Sequence, residues 1–262
     1  MLIDTHCHLN SDELYNDLEK VKNEAEKNNV KLFIIPSYTI ESCKRAIEIA
    51  EKYDNCYAAI GFHPTEIKNY TDVEYQWLEN NINHPKVIAV GEIGYDFHWD
   101  TTTYEEQKYA FERQIKLAIK YHKPIIIHCR DAIEACLNTL KENHAELIGG
   151  IMHSYQGSLE SSRDFIKLGF YIGLGGPVTF KNAKVPKIVA SNIDINYLLT
   201  ETDSPYLTPH PYRGTVNSPK YISLIVKEMA ELRNVDEKVI EEAVMRNVER
   251  LFRIGVQDEE NL

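Results

Sequence analysis

Near the start of the chain, in MLIDTHCHLN, His6 and His8 stand two residues apart. If residues 2–8 form a strand, alternation puts both imidazoles on one face, with Thr5 and Cys7 on the other. Two neutral imidazoles side by side suit a metal ion. Other apolar runs also close on potential ligands or bases: His63, Glu92, His128, His153 and Asp203. A single histidine at a strand end is ordinarily structural. Several such ends at one mouth would each need a buried partner, and a shared metal site satisfies them together. Four imidazoles (His6, His8, His128, His153) and two carboxylates (Glu92, Asp203) exceed what one tetrahedral ion with an open position takes. They suit two divalent cations sharing a carboxylate. Glu92, in VIAVGEIGYD, is the natural bridge, and Gly91 and Gly94 beside it would let backbone and substrate come close. Asp203, in LLTETDSPYL, is expected as ligand and general base. Glu201 shares its parity and is expected in a supporting role or in a salt bridge within the barrel layer.

Eight apolar, β-rich runs would position these groups: 2–8, 32–36, 57–63, 87–92, 124–128, 148–153, 169–174 and 197–203. Between them lie helical stretches whose starts read as capping boxes at Thr71/Glu74, Thr103/Glu106 and Asp131/Glu134. Eight strand–helix units, with strands too continuously apolar to have a solvated face, predict a (β/α)8 TIM-like barrel. In such a barrel the chemistry gathers where strands end at the C-terminal face, and only the second and seventh runs lack a candidate there. Two further helices are expected over 218–233, starting at Ser218 with Pro219, and 235–252. No linker, low-complexity stretch or repeat divides the chain, which predicts one domain over 1–262.

A net charge of −11 speaks against a general basic nucleic-acid surface, although bound divalent cations can supply positive charge locally. No apolar run reaches the length of a membrane span, and the N-terminus lacks the basic-then-apolar order of a secretory leader. Five scattered cysteines without a CxxC pair point to a reducing compartment, so the expectation is cytoplasmic.

In order along nearly the whole chain, DTHCHL, GFHP (61–64), GEIGYDF (91–97), IIIHCRDA (125–132), GIMHSYQG (150–157), ETDSPYL and RGTVNSP resemble the TatD family of metal-dependent deoxyribonucleases. The resemblance implies an amidohydrolase-type barrel, two divalent metal ions and hydrolysis of DNA phosphodiester bonds, with exonuclease action on single strands. It implies that His6, His8, Glu92 and Asp203 hold one ion and Glu92, His128 and His153 the other. It puts His63 at the substrate phosphate, with Arg130, Arg213 and Asn217 as phosphate or nucleotide contacts. Mg²⁺, Mn²⁺ and Zn²⁺ all stay open. On this scheme a water between the ions loses its proton to Asp203.

The chain departs from the family in having Tyr95 where leucine is usual, and Thr215 and Val216 where the RGxxN segment is usually more basic. Fewer charges there bear on tight binding of long DNA. His98 and Trp99 form an aromatic pair that could stack on a base or pack the loop. The nearest alternative is an amidohydrolase-type hydrolase of a lactone, amide or small phosphoester. Related phosphotriesterase-like enzymes generally carry a carboxylated lysine where this chain has Glu92. A further alternative, a metal-holding scaffold without turnover, sits poorly with so complete a ligand set.

Overall fold

A computed structural model of the chain describes residues 1–68 and 70–255; Asn69 and residues 256–262 of the expected domain lie outside the described residues. The strands are β1 Leu2–Asp4, β2 Val30–Pro36, β3 Cys56–Ile60, β4 Val87–Asp96, β5 Ile125–Arg130, β6 Gly150–Met152, β7 Phe170–Leu174 and β8 Leu198–Thr200. Each pairs in parallel with its neighbour in sequence, in the order β1 to β8. The helices between them are α1 Asp12–Tyr15, α2 Leu18–Lys27, α3 Ile40–Lys52, α4 Asp72–Asn81, α5 Tyr104–Lys120, α6 Ile133–Glu142, α7 Leu159–Lys167 and α8 Lys184–Asn192. Two more, α9 Ile222–Arg233 and α10 Glu237–Phe252, follow β8. This is the expected (β/α)8 barrel, nearly closed. Strands β4 and β7 are buried along their whole length, because one face meets the barrel interior and the other meets helices.

The barrel closes between β1 and β8 just beyond the strand ends. Thr5 donates from its N–H and Oγ1 to the Thr200 carbonyl, and Thr200 Oγ1 donates to the Ile3 carbonyl. Further up, Asp203 N donates to His6 O at 2.9 Å and His8 N to Ser204 O at 2.7 Å. The buried Asp4 carboxylate accepts from Thr202 N and Oγ1 and from His6 N. The seam thus runs through the two segments that carry His6, His8 and Asp203.

Several boundaries differ from expectation. The first run stops being a regular strand at Asp4, since Cys7 N turns to Ile34 O and His8 N to Ser204 O. The third, sixth and eighth runs likewise end before His63, His153 and Asp203, which occupy the loops above them. The fourth run continues past Glu92 to Asp96, because Gly94, Tyr95 and Asp96 stay in register with His128, Cys129 and Arg130. Capping boxes form at Thr71/Glu74 and Thr103/Glu106. The one expected at Asp131 does not: Asp131 takes φ +55°, its carboxylate lies 3.7 Å from His98 Nδ1, and Ala132 stands at the N-cap position of α6 with no side-chain cap. The helix expected from Ser218 opens instead as a 3₁₀ turn, Pro219–Tyr221, before α9.

Gly94 is where strand pairing leaves no room for a side chain. Its φ is +140°, and an added Cβ would lie 2.1 Å from the His128 carbonyl oxygen. Gly94→Ala is expected to cost about 2–4 kcal/mol in urea unfolding of the metal-free protein. An unchanged midpoint would show that β4 and β5 can separate there without penalty.

Candidate metal centre

Glu92 sits mid-strand, held by its N–H donating to Ser37 O at 2.7 Å, with Gly91 O accepting from Ser37 N. Its buried carboxylate is ringed by five imidazoles. Oε1 lies 2.8 Å from His128 Nδ1, 2.9 Å from His153 Nε2 and 3.6 Å from His63 Nε2. Oε2 lies 3.3 Å from His6 Nε2 and 3.6 Å from His8 Nε2. Burial alone would raise the Glu92 pKa, but the charge on His153 and the bond from His128 hold it well below the usual carboxylate range.

On the β1–β8 side, His6 Nε2 and His8 Nε2 are 3.2 Å apart, and Asp203 Oδ1 lies 3.7 Å from the first and 3.6 Å from the second. Together with Glu92 Oε2 these four atoms outline a polyhedron in which the five edges that involve an imidazole nitrogen measure 3.2–3.7 Å. Four donors bound tetrahedrally at about 2.1 Å from one cation would be about 3.4 Å apart. The Nδ1 atoms of His6 and His8 are buried without a hydrogen-bond partner, so no protein acceptor already fixes where these rings carry their protons. The donor set fits a divalent cation. Clusters able to hold one are His6, His8 and Asp203; His63, Glu92 and His128; and His6, His153 and Glu201.

The imidazoles differ in charge. Burial, reinforced by neighbouring histidines, pushes His6 down and His63 down to about 3, which keeps both neutral. Burial also opposes charge on His128 and His153, but carboxylates win at both. Asp96 and Glu92 raise His128; Glu92 and Glu201 raise His153 well above its ordinary value. His63 Nδ1 accepts from Thr65 N at 3.2 Å, so the neutral ring carries its proton on Nε2, facing the cluster. Glu201 Oε1 accepts from Ser154 N and lies 3.4 Å from His153 Nδ1, a supporting position below Asp203.

The family model for TatD related DNases matches residues 3–253. The chain belongs to the TatD family. It is 44% identical to YabD of Bacillus subtilis, described as an uncharacterized metal-dependent hydrolase, over 97% of this chain and 100% of that one. The crystal structure of YjjV, the TatD homologue of Escherichia coli, matches with a TM-score of 0.92 at 32% identity, covering 97% of this chain and 98% of that one. A TatD-family hydrolase of Entamoeba histolytica matches with a TM-score of 0.85 at 25% identity, over 96% and 97% of the two chains. This member of the TatD family is a metal-dependent hydrolase. No helix among its described residues is long and apolar enough to cross a membrane.

Of the four residues expected at substrate, His63 lies in the cluster, 3.6 Å from Glu92, and Arg130 stands at the end of β5 beside Asp96, with its guanidinium 5.6 Å over the Trp99 ring. Arg213 is exposed and packs over Phe180 at 4.0 Å. Asn217 is buried. Its amide donates to Thr202 O and Tyr206 O while Oδ1 accepts from Ser218 N, so both donors brace the loop above β8 and neither is free for a phosphate. Tyr95 points away from the mouth, its hydroxyl 2.9 Å from Thr139 Oγ1 and its ring among Phe97, Tyr104 and Phe111.

Sequence reasoning missed Asp96. It is buried, its Oδ2 meets His128 Nε2 at 2.8 Å, and its Oδ1 accepts from His98 N and Trp99 N. Burial opposes its charge, but these bonds bring its pKa to about 2. Its parity with Glu92 and Gly94 was the available signal, hidden by ending the strand too early. As the carboxylate that orients His128, it should matter to the metal. Asp96→Ala is expected to lower divalent-metal affinity about 10- to 100-fold in calorimetric titration. Unchanged affinity would mean that His128 is held without it.

Proposed function

We propose that the protein is a divalent-metal-dependent deoxyribonuclease that hydrolyses DNA phosphodiester bonds, working as an exonuclease on single strands. The observation that carries this reading is Glu92, one buried carboxylate offering an oxygen to each of two ligand groups. The description of the matching family model supports the choice of DNA as substrate. His6, His8, Glu92 and Asp203 would hold one cation, and Glu92, His128 and His153 the other. Imidazoles and carboxylates together accept Mg²⁺, Mn²⁺ or Zn²⁺. Two such cations would supply Lewis-acid neutralisation of phosphoryl charge and would lower the pKa of the attacking water.

The chain's own groups do the rest. Asp203, whose Oδ1 faces the His6–His8 pair, takes the proton of the attacking water at its other carboxylate oxygen. Burial opposes its charge, but the bond from His8 and the charge on His153 hold its pKa below the ordinary value, so it is a charged acceptor at neutral pH. His63 Nε2–H donates to a phosphoryl oxygen as negative charge develops there. Arg130, fixed against Trp99, meets a phosphate at the rim in the bidentate manner of a guanidinium. A side-chain nucleophile is unnecessary, and Cys7, the thiol nearest in sequence to His6 and His8, is buried with its pKa pushed well above the usual value.

The test is hydrolysis of an end-labelled single-stranded oligodeoxynucleotide by metal-stripped protein, with each ion added back. Metal-dependent laddering from one end is expected. Glu92→Ala should lose more than about 100-fold, beyond the cost of removing an outer-shell partner. Arg213→Ala, away from the cluster, should mainly raise KM. Intact DNA under every ion, with turnover of lactones or simple phosphoesters, would overturn the substrate.

Acid should also separate the two ions. Protons compete for ligands from the pKa of the free ligand downward, and His128 and His153 are raised while His6 is lowered. As pH falls, the cation held by Glu92, His128 and His153 should leave before the one held by His6, His8 and Asp203, with activity lost at the first step. Metal content after dialysis at stepped pH reads this directly, and release of both ions in one step would contradict it.

A further inference from the structure

Trp99 stands in the loop above β4 with 54% of its surface exposed. That loop is fixed on the metal centre itself. Asp96, whose Oδ2 meets the candidate ligand His128, accepts through Oδ1 from the backbone of His98 at 2.9 Å and of Trp99 at 3.0 Å. The Gln107 side chain accepts from Asp96 N and donates to Asp96 O, both at 2.9 Å, and Thr102 Oγ1 donates to Pro64 O at 2.7 Å. The backbone that carries the indole is therefore already ordered, so binding there gives up little backbone entropy. Arg130 lies 5.6 Å over its ring and half-buried, which joins a guanidinium to the aromatic surface.

We infer that Trp99 is a stacking platform for one nucleobase of the strand being cut, with Arg130 meeting the phosphate attached to that nucleotide. The inference rests on the phosphodiester reading above and adds to it a base subsite. Phosphate held at the centre leaves an adjoining base beside the loop that Asp96 anchors. A strand gripped through its base faces also suits an acidic chain, because stacking needs no basic surface and every base offers a π-face. This platform reads no sequence; it distinguishes strands with bases from strands without them.

The chain has two tryptophans, so Trp77→Phe leaves Trp99 as the sole indole emitter. In that background, with Mg²⁺ or Mn²⁺ present, a phosphorothioate oligothymidylate and an abasic strand of the same backbone are titrated. Indole emission and the anisotropy of an end label are followed together. Oligothymidylate is expected to bind and quench the emission, and the abasic strand to bind about tenfold more weakly without quenching. Trp99→Ala should weaken oligothymidylate binding about tenfold, with the loss confined to the base-bearing strand, and Trp99→Phe should restore most of it. Oligothymidylate that binds without changing the emission, or equal binding of the two strands, would overturn the stacking subsite and leave the nuclease reading standing. Binding of neither strand under any divalent ion would overturn both.

Discussion

The structure turns on one carboxylate. Glu92 is buried at the top of the barrel, where an isolated charge would cost several kcal/mol; five imidazoles converge on its two oxygens, and the raised pair His128 and His153 keeps it ionised. The convergence needs strands from all round the barrel: β1 leads to His6 and His8, β3 to His63 and β6 to His153, while β5 carries His128. Any one of these imidazoles buried alone would be a liability. Together they share the carboxylate, and with it a capacity for cations that none has separately.

Closure of the barrel and assembly of the site are the same event. The hydrogen bonds that join β1 to β8 continue upward through His6, Thr202, Asp203 and Ser204, with Asp4 accepting from both segments. The spacing between the His6–His8 pair and Asp203 is thereby set by backbone rather than by side-chain adjustment. Outer carboxylates do similar work on the other side, with Asp96 behind His128 and Glu201 behind His153. A centre supported in this way keeps its donors near coordination distance, which is what preorganised electrostatic catalysis needs.

The charge of the chain fits this plan. A protein with a net charge of −11 repels a polyanion over most of its surface, so attraction must be local. Cations at the mouth would supply it there. Of the two arginines singled out for substrate, Arg130 stands at the rim and Arg213 packs on Phe180.

The sequence alone determined the architecture and most of the candidate ligands. Continuously apolar runs alternating with capped helices permit few folds, and a barrel forces whatever closes those runs to one end, so His6, His8, His63, Glu92, His128, His153 and Asp203 were legible before any coordinates. Only tertiary structure decided the division of labour among them. Which oxygen of Glu92 faces which imidazole depends on where strands stop, and β1, β3, β6 and β8 stop short of their ligands because seam and loop hydrogen bonds replace the ladder. Asp96 and Asn217 show the same limit in opposite directions. The first gained a role at His128 through a β4–β5 register that runs four residues past Glu92, and the second spent its donors on loop carbonyls beside it in space. Pattern fixes which residues face inward; hydrogen-bond partners distant in sequence fix what each is free to do.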